Sequence, residues 1–202
     1  MEIKDPRQIL SIKKLQKAYL SLLLQENENM SIQRLCQEAQ VTRPTFYNLY
    51  KDLMDLRIHL YNSILEELRK SLTITNPKKL EDIEPEELPE NMIFLFEHIL
   101  QNHLAYEVLF IYKPDALFME KVKLIIRQYI VDGIRASQST EKDYRMEIPF
   151  IISYTTGAYL ESIFWWIKNN YKYTPEIMAA KLLEISLYGP YKNVINWKKQ
   201  GS

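Results

Sequence analysis

Glycine is scarce in this sequence, which has 4 glycines among 202 residues beside 9 prolines. Two-residue β-hairpins and phosphate-binding loops depend on glycine, so the sequence offers few places for either. It contains no nucleophile elbow, P-loop or dinucleotide-binding fingerprint. We therefore predict that the chain is not an enzyme and that it binds no cofactor.

Cysteine and histidine are rare as well. Cys36 is the single cysteine, which excludes a disulfide within the chain and favours a reducing, cytoplasmic location. His98 and His103 lie five positions apart, whereas two metal ligands on one helical face lie three or four apart. No metal site is predicted.

The formal net charge of the chain is zero, because 26 Lys and Arg residues balance 26 Asp and Glu residues. The charges are nevertheless segregated along the chain. Residues 1–51 hold eight basic and five acidic side chains, whereas residues 81–90 hold six carboxylates and no base. The mildly basic N-terminal region permits binding to nucleic acid.

Long apolar runs are missing, with one exception. Lysines at positions 13, 14 and 17 interrupt the first apolar segment, so no secretory leader is expected. Residues 148–167 carry one charge, Glu161, and approach the length that spans a bilayer. Because four Ser and Thr residues lower the hydropathy of this segment, we predict a buried interface helix and no membrane span.

Helical periodicity is the main pattern that is present. Asp5 followed by Pro6 is typical of a helix start, and the apolar stripe behind it predicts a first helix of about 20 residues. Three further helices are predicted to begin at the N-caps Ser31, Thr42 and Asp52 and to end near residues 39, 49 and 72. Two short helices braced by two long ones are typical of a helix-turn-helix, whose second short helix enters the major groove of DNA.

The second half of the chain is also predicted to be helical. A connector rich in proline and carboxylates covers residues 76–90, and helices are predicted over residues 89–104, 105–112, 114–137, 147–170 and 174–188. The tail after residue 190 carries apolar residues that are suited to docking on the body. The predicted fold is thus all-α with about nine helices. It comprises a helix-turn-helix domain (residues 1–51), a linking helix (52–75) and a helical dimerisation and effector domain (76–202).

The second short helix carries side chains suited to reading base pairs. The guanidinium of Arg43 matches guanine, the amide of Asn48 matches adenine, and Pro44 and the Thr45 methyl group match a thymine methyl. Gln33 is a further candidate for a base contact. Phosphate contacts, which set register more than sequence, are predicted for Ser31, Thr42, Tyr47 and Lys51. Phe46 and Tyr50 share a face with Val41 and are predicted to be core residues.

This region resembles the DNA-binding signature of the TetR/AcrR family. The resemblance is carried by residues 31–56, which read SIQRLCQEAQVTRPTFYNLYKDLMDL. Thr45, Phe46 and Tyr47 match the family's Thr-Phe/Leu-Tyr run in the recognition helix, and Tyr50 matches its closing aromatic residue. Leu56 matches a leucine of the fourth helix.

Two positions depart from the family pattern. The glycine that is usual in the turn is Gln40, and a lysine common at the start of the fourth helix is Leu53. Loss of this lysine removes one expected phosphate contact, which lowers DNA affinity modestly. Lys51 is the candidate to replace it.

The resemblance implies a bacterial one-component regulator that binds a palindromic operator as a homodimer. Our interpretation is a ligand-responsive repressor. One alternative is an activator of the same fold that works with a protein co-activator. Another is a helical interaction or ligand-carrier protein that has lost DNA binding.

Residues 148–170 are apolar nearly all round, so both faces of this helix must be covered. One face is expected to pack on its own domain and the other on a second copy, with Gly157 and Ala158 allowing close approach. The family resemblance implies that the final helix completes a four-helix interface. The predicted interface residues are Phe150, Tyr154, Gly157, Ala158, Trp165, Ile177, Ala180, Leu183 and Leu187.

Between the connector and this helix lies a set of residues rich in aromatic rings and methionine. The family resemblance implies a small-molecule pocket in this region, whereas an aromatic stripe at helical spacing also forms ordinary core. The candidate pocket residues are Met92, Phe96, Ile99, His103, Phe110, Phe118, Met119, Val122, Ile126 and Tyr129.

Overall fold

The computed structural model describes residues 5–25, 30–75, 88–138 and 141–189, and its regular structure is helical throughout these ranges. The predicted tail after residue 190 and most of the predicted connector lie outside the described residues. The α-helices are α1 (Pro6–Leu23), α2 (Ile32–Ala39), α3 (Arg43–Leu49), α4 (Leu53–Ser71), α5 (Glu90–Gln101), α6 (His103–Tyr106), α7 (Ala116–Ala136), α8 (Ile148–Lys168) and α9 (Pro175–Tyr188).

Side-chain caps set the starts of the first four helices, as the sequence predicts. Asp5 accepts a hydrogen bond from the Arg7 backbone amide at 2.8 Å, and Asp52 accepts one from the Asp55 amide at 2.8 Å. Such bonds satisfy amides that have no partner within the helix. The four helices surround a core that includes Leu15, Leu35 and Leu56, all fully buried.

Helix α4 joins this N-terminal unit to the rest of the chain. Besides its contacts with α1, it packs on α5 and α7. In the C-terminal body, α5 packs on α9 and α7 packs on α8. The buried apolar side chains form a single cluster that runs from Ile12 to Leu183.

The segment after α5 differs in detail from the prediction. The sequence predicts helices over 89–104 and 105–112, whereas α5 ends at Gln101, α6 is a single turn, and Glu107–Tyr112 form a π-helix. At the break, the backbone amide and the side-chain amide of Asn102 both donate to the His98 carbonyl, at 3.0 and 3.1 Å, and the Asn102 backbone leaves the helical conformation, with φ −102° and ψ 24°. The periodicity of apolar residues does not distinguish a π-turn from an α-turn.

Helix α8 occupies residues that approach membrane-spanning length. None of the helices in the described ranges, α8 included, is both long enough and apolar enough to cross a membrane.

Candidate nucleic-acid interface

The turn between α2 and α3 is formed without glycine. Gln40 has a left-handed backbone conformation, with φ 52° and ψ 46°. The Val41 amide donates to the Cys36 carbonyl at 3.0 Å and the Gln40 amide to the Gln37 carbonyl at 3.1 Å, which closes α2 in a Schellman-type motif. A side chain in this conformation costs about 1 kcal/mol relative to glycine. The departure at Gln40 therefore preserves the turn geometry and lowers stability.

Two aromatic residues anchor α3. Phe46 is fully buried and Tyr50 nearly so, which confirms the prediction that both are core residues. The Tyr50 hydroxyl lies 2.7 Å from Nδ1 of His59 on α4. Burial, followed by the nearby Asp55 carboxylate, raises the pKa of Tyr50 to about 12. These contacts fix the orientation of α3 on the N-terminal unit.

The opposite face of α3 is open to solvent. Arg43, Pro44, Tyr47 and Asn48 are exposed there, and Tyr47 retains 51% of its accessible surface. Thr45 is only half-buried, which leaves part of its surface available at the same face. A short helix with a buried aromatic face and an exposed polar face matches the geometry by which recognition helices meet the major groove.

Hydroxyl groups at the helix starts act as caps. Thr42 Oγ1 accepts from the Thr45 amide at 3.3 Å and lies 2.8 Å from Thr45 Oγ1. Ser31 Oγ accepts from the Arg34 amide at 3.2 Å. Both capping residues are exposed, so a cap hydroxyl remains able to reach a phosphate oxygen.

The packing at the start of α4 explains why Leu53 stands where the family pattern has a lysine. Leu53 is half-buried and packs against the core, so an apolar contact takes the place of the expected lysine. The preceding Lys51 is exposed, and its backbone amide donates to Asp55 Oδ2 at 3.1 Å. Its position next to α3 keeps Lys51 as the candidate for the missing phosphate contact.

A polar cluster joins α4 to the C-terminal body. Arg57 forms an ion pair with Asp115, and the Tyr61 hydroxyl donates to Asp115 Oδ2 at 2.9 Å. Arg57 Nε in turn donates to the Tyr61 hydroxyl at 3.2 Å. Burial and the bond to Asp115 raise the pKa of Tyr61. The sequence gives no local sign of this cluster, because Asp115 lies more than 50 positions from both Arg57 and Tyr61.

A cavity of about 610 Å³ opens between the C-terminal ends of α4 and α7. Its wall is apolar at Leu72, Ile74 and Ile125 and polar at Arg69 and Gln128. Gln128 donates to Asp132, which also lines the cavity, at 2.8 Å. Of the ten predicted pocket residues, Tyr129 is the one that lines this cavity.

The other nine predicted pocket residues lie elsewhere, and seven of them are buried side chains of the core. The structure stacks Phe110 on Phe164, with ring centroids 4.7 Å apart, and sets Phe96 edge-on to Trp166 at 5.2 Å. Met119 is half-buried and His103 is exposed. In this structure the seven buried side chains are packed core, and the α4–α7 cavity is a further candidate pocket. The buried seven are Met92, Phe96, Ile99, Phe110, Phe118, Val122 and Ile126.

Helices α8 and α9 are in contact, and both carry exposed apolar side chains, which are here together called the α8–α9 face. Phe150, Tyr154 and Trp165 lie on α8 with 59%, 64% and 46% of their surface exposed. Gly157 lies among them, and a Cβ atom there would meet nothing within 4 Å.

The remaining predicted interface residues fall into three groups. Ile177 and Leu187 are exposed on α9, and Ala158 and Ala180 are half-buried. Leu183 is buried in the chain's own core, so it is not available to a second copy as predicted. Ile185 and Tyr188, which the sequence analysis omitted, are exposed on α9. Residues 177, 181, 185 and 188 follow one another at intervals of three or four positions and so lie along one side of the helix. This spacing is the sequence signal that would have identified Ile185 and Tyr188.

Comparison with known proteins defines the class. A family model described as "Transcriptional regulator C-terminal region", of the TetR type, matches residues 86–187. No curated protein matches the chain. Similar solved structures are those of transcriptional regulators, at identities that establish a shared fold.

Three of these structures cover almost the whole chain. A TetR transcriptional regulator from Streptococcus agalactiae 2603V has a TM-score of 0.58 at 19% identity, covering 91% of this chain and 97% of its own. The dihydroxyacetone kinase operon activator DhaS gives 0.58 at 18%, covering 89% and 95%. The regulator FadR from Bacillus subtilis, in complex with stearoyl-CoA, gives 0.57 at 14%, covering 89% and 99%.

The all-helical fold and these matches together define a transcriptional regulator. The chain belongs to the TetR family.

Proposed function

We propose that this regulator binds a specific operator through α3 and that it does so as a homodimer. The observation that carries the proposal is the division of α3 into two faces. Phe46 and Tyr50 hold one face in the core, which leaves Arg43 and Asn48 exposed on the other. Exposed Arg and Asn side chains on a fixed recognition helix have the donors and acceptors that discriminate base pairs.

Individual contacts follow from side-chain chemistry. Base contacts are assigned to Arg43, Pro44, Thr45, Asn48 and Gln33, and phosphate contacts to Ser31, Thr42, Tyr47 and Lys51. A planar guanidinium or amide makes two hydrogen bonds to one base edge, whereas hydroxyl and ammonium groups suit single contacts to phosphate oxygens. The unit of residues 1–51 then reads DNA, α4 links it to the body, and residues 76–202 dimerise and sense an effector.

A gel-shift assay with the DNA that flanks the chain's own gene tests this proposal. We expect a sequence-dependent complex that weakens steeply with salt, because phosphate contacts release counterions. The double variant Arg43→Ala/Asn48→Ala should lose the complex. The matched control Arg135→Ala/Asn62→Ala, which truncates exposed residues of α7 and α4, should keep it. A wild-type protein that forms no specific complex would favour the alternative of a helical carrier that has lost DNA binding.

The α8–α9 face is proposed to bind a second copy. A two-fold dimer presents two copies of α3, which read half-sites roughly 34–36 Å apart or a multiple of that distance. The operator is then palindromic.

The α4–α7 cavity is proposed to bind an amphipathic effector that releases the operator, so that the protein acts as a repressor. Apolar side chains line one part of the cavity and Arg69 another, which suits a ligand with an apolar chain and an anionic or polar head. The structurally similar FadR was solved with stearoyl-CoA, so stearoyl-CoA is the first probe. We expect it to raise the melting temperature and to weaken the complex with operator DNA.

An activator is the second candidate, favoured by the structural similarity to the activator DhaS. The position of the operator decides between the two signs of regulation. An operator that overlaps the polymerase site supports repression, whereas an upstream operator supports activation.

A further inference from the structure

We propose that Asp115 positions the DNA-binding helices from within the C-terminal body, an inference that rests on the proposed DNA-binding function. Asp115 is the N-cap of α7, whereas its partners Arg57 and Tyr61 lie on α4, the helix that directly follows α3. We call these three residues the α4–α7 clasp.

The two oxygens of Asp115 have separate partners. Oδ1 accepts from the Phe118 amide at 2.9 Å and thereby caps α7. Oδ2 accepts from the Tyr61 hydroxyl at 2.9 Å and pairs with Arg57. One carboxylate therefore fixes the start of α7 and holds α4 against it.

The clasp is sheltered from solvent. The side chains of Arg57 and Asp115 are 30% and 15% exposed, and the Tyr61 ring packs on Phe118 with centroids 5.0 Å apart. A charge-assisted bond in such surroundings is stronger and more directional than a surface ion pair. The clasp is thus suited to fixing the angle between the two helices.

The clasp and the cavity lie at opposite ends of the same helix pair. Arg57 and Asp115 lie at the N-terminal ends of α4 and α7, and Leu72 and Tyr129 line the cavity near the C-terminal ends. At 1.5 Å per residue, the separation is about 22 Å along α4 and about 21 Å along α7. The two helices are in contact with each other. A ligand that wedges the cavity open would turn α4 about the clasp and so tilt α3.

Asp115→Asn tests the clasp with little disturbance of α7. Asparagine caps a helix about as well as aspartate, so the bond to the Phe118 amide is retained while the charge on Oδ2 is lost. Arg57→Gln removes the partner charge. Glu120→Gln is the matched control, since it removes an exposed ion pair with Lys123 within α7.

The first readout is affinity for an operator duplex. We expect Asp115→Asn and Arg57→Gln each to weaken binding about tenfold, within the range typical of coupling between sites, and the double variant to be no weaker than either single one. Glu120→Gln should bind like the wild type.

The second readout needs no DNA, so it separates failure of the clasp from failure of the proposed function. Spin labels are placed at Glu38→Cys on α2 and Gln101→Cys on α5, both exposed, in a Cys36→Ala background diluted with unlabelled protein. In the labelled protein without further substitution, we expect one narrow distribution of the distance between the labels on α2 and α5. Adding Asp115→Asn should broaden this distribution. The inference is overturned if Asp115→Asn changes neither the distance distribution nor the operator affinity. This holds even if the substitution lowers the melting temperature. A wild type that binds no operator refutes the proposed function, while the distance measurement still decides on the clasp.

Discussion

Replacing Gly157 by tryptophan should prevent the proposed dimer from forming without disturbing the fold of each chain. Gly157 is exposed in the middle of α8, and a Cβ atom there would meet nothing within 4 Å. Among the described residues, the start of a new side chain at this position therefore has room, whereas a second copy that approaches this face would meet the indole ring.

The association free energy of the proposed dimer can be estimated from the aromatic rings around Gly157. Phe150, Tyr154 and Trp165 are about half exposed, so each offers roughly 100 Å² of apolar surface, or about 2.5 kcal/mol. Six such rings in a symmetric dimer offer about 15 kcal/mol in total, which is similar to the ~4–15 kcal/mol that association costs. The net affinity is therefore sensitive to small losses.

Two-fold symmetry doubles the effect of the substitution. Overpacking an interface costs about 1–3 kcal/mol for each inserted side chain, and each dimer contains two. A total of about 2–6 kcal/mol weakens the dissociation constant by about 30-fold to 20,000-fold. Gly157→Ala, which adds a single methyl group, should have a much smaller effect.

Sedimentation velocity over a dilution series measures this change, and a thermal melt followed by circular dichroism checks the fold. Lys123→Trp, at an exposed position of α7, is the control for a tryptophan placed outside the α8–α9 face. It should remain a dimer. If Gly157→Trp also sediments as a dimer with unchanged affinity, the copies associate through another surface.

Three further predictions concern α3, the turn that precedes it and the core. Arg43→Ala should cost ~1–3 kcal/mol of binding to the preferred operator and relax the preference at one base pair; equal weakening on all single-base variants of the operator would make Arg43 a phosphate contact. Gln40→Gly should raise the free energy of unfolding in urea by about 1 kcal/mol, because Gln40 has a positive φ. Gln37→Gly, within α2, should lower it by a similar amount, and the same sign for both would refute the argument from backbone conformation. Burial lowers the pKa of His98 from 6.5 to about 4, so the unfolded chain binds more protons between these values and stability falls as the pH drops through this window. Between pH 7 and pH 5 the wild type should lose about 2 kcal/mol more than His98→Gln, and equal losses would show that His98 is not the group responsible.

Local signals in the sequence were sufficient to predict helices α1 to α4. The N-caps at Asp5, Ser31, Thr42 and Asp52 act through hydrogen bonds between residues two or three positions apart. Such bonds are determined by neighbouring residues and are therefore visible in the sequence. The burial of Phe46 follows equally from helical spacing.

The body was less accessible to sequence reasoning because its decisive contacts are distant along the chain. Leu183 and Ile185 are both apolar and lie on the same helix, yet Leu183 packs on its own core and Ile185 is exposed. Which face of α9 turns inward depends on the position of α5, which packs on it. For the same reason the sequence alone left two readings of Phe96 and its aromatic neighbours open, a pocket implied by the family resemblance or ordinary core, and the structure packs Phe96 against Trp166.

Selection of binding sites from randomised DNA duplexes tests the central claim most directly. The wild-type protein should enrich a palindrome whose half-sites are centred about one helical turn apart, or a multiple of it. The variant Arg43→Ala/Asn48→Ala should enrich no sequence, or a sequence with altered bases at the positions that α3 reads. Failure of the wild type to enrich any sequence, or enrichment of the same palindrome by the variant, would contradict the assignment of DNA recognition to α3.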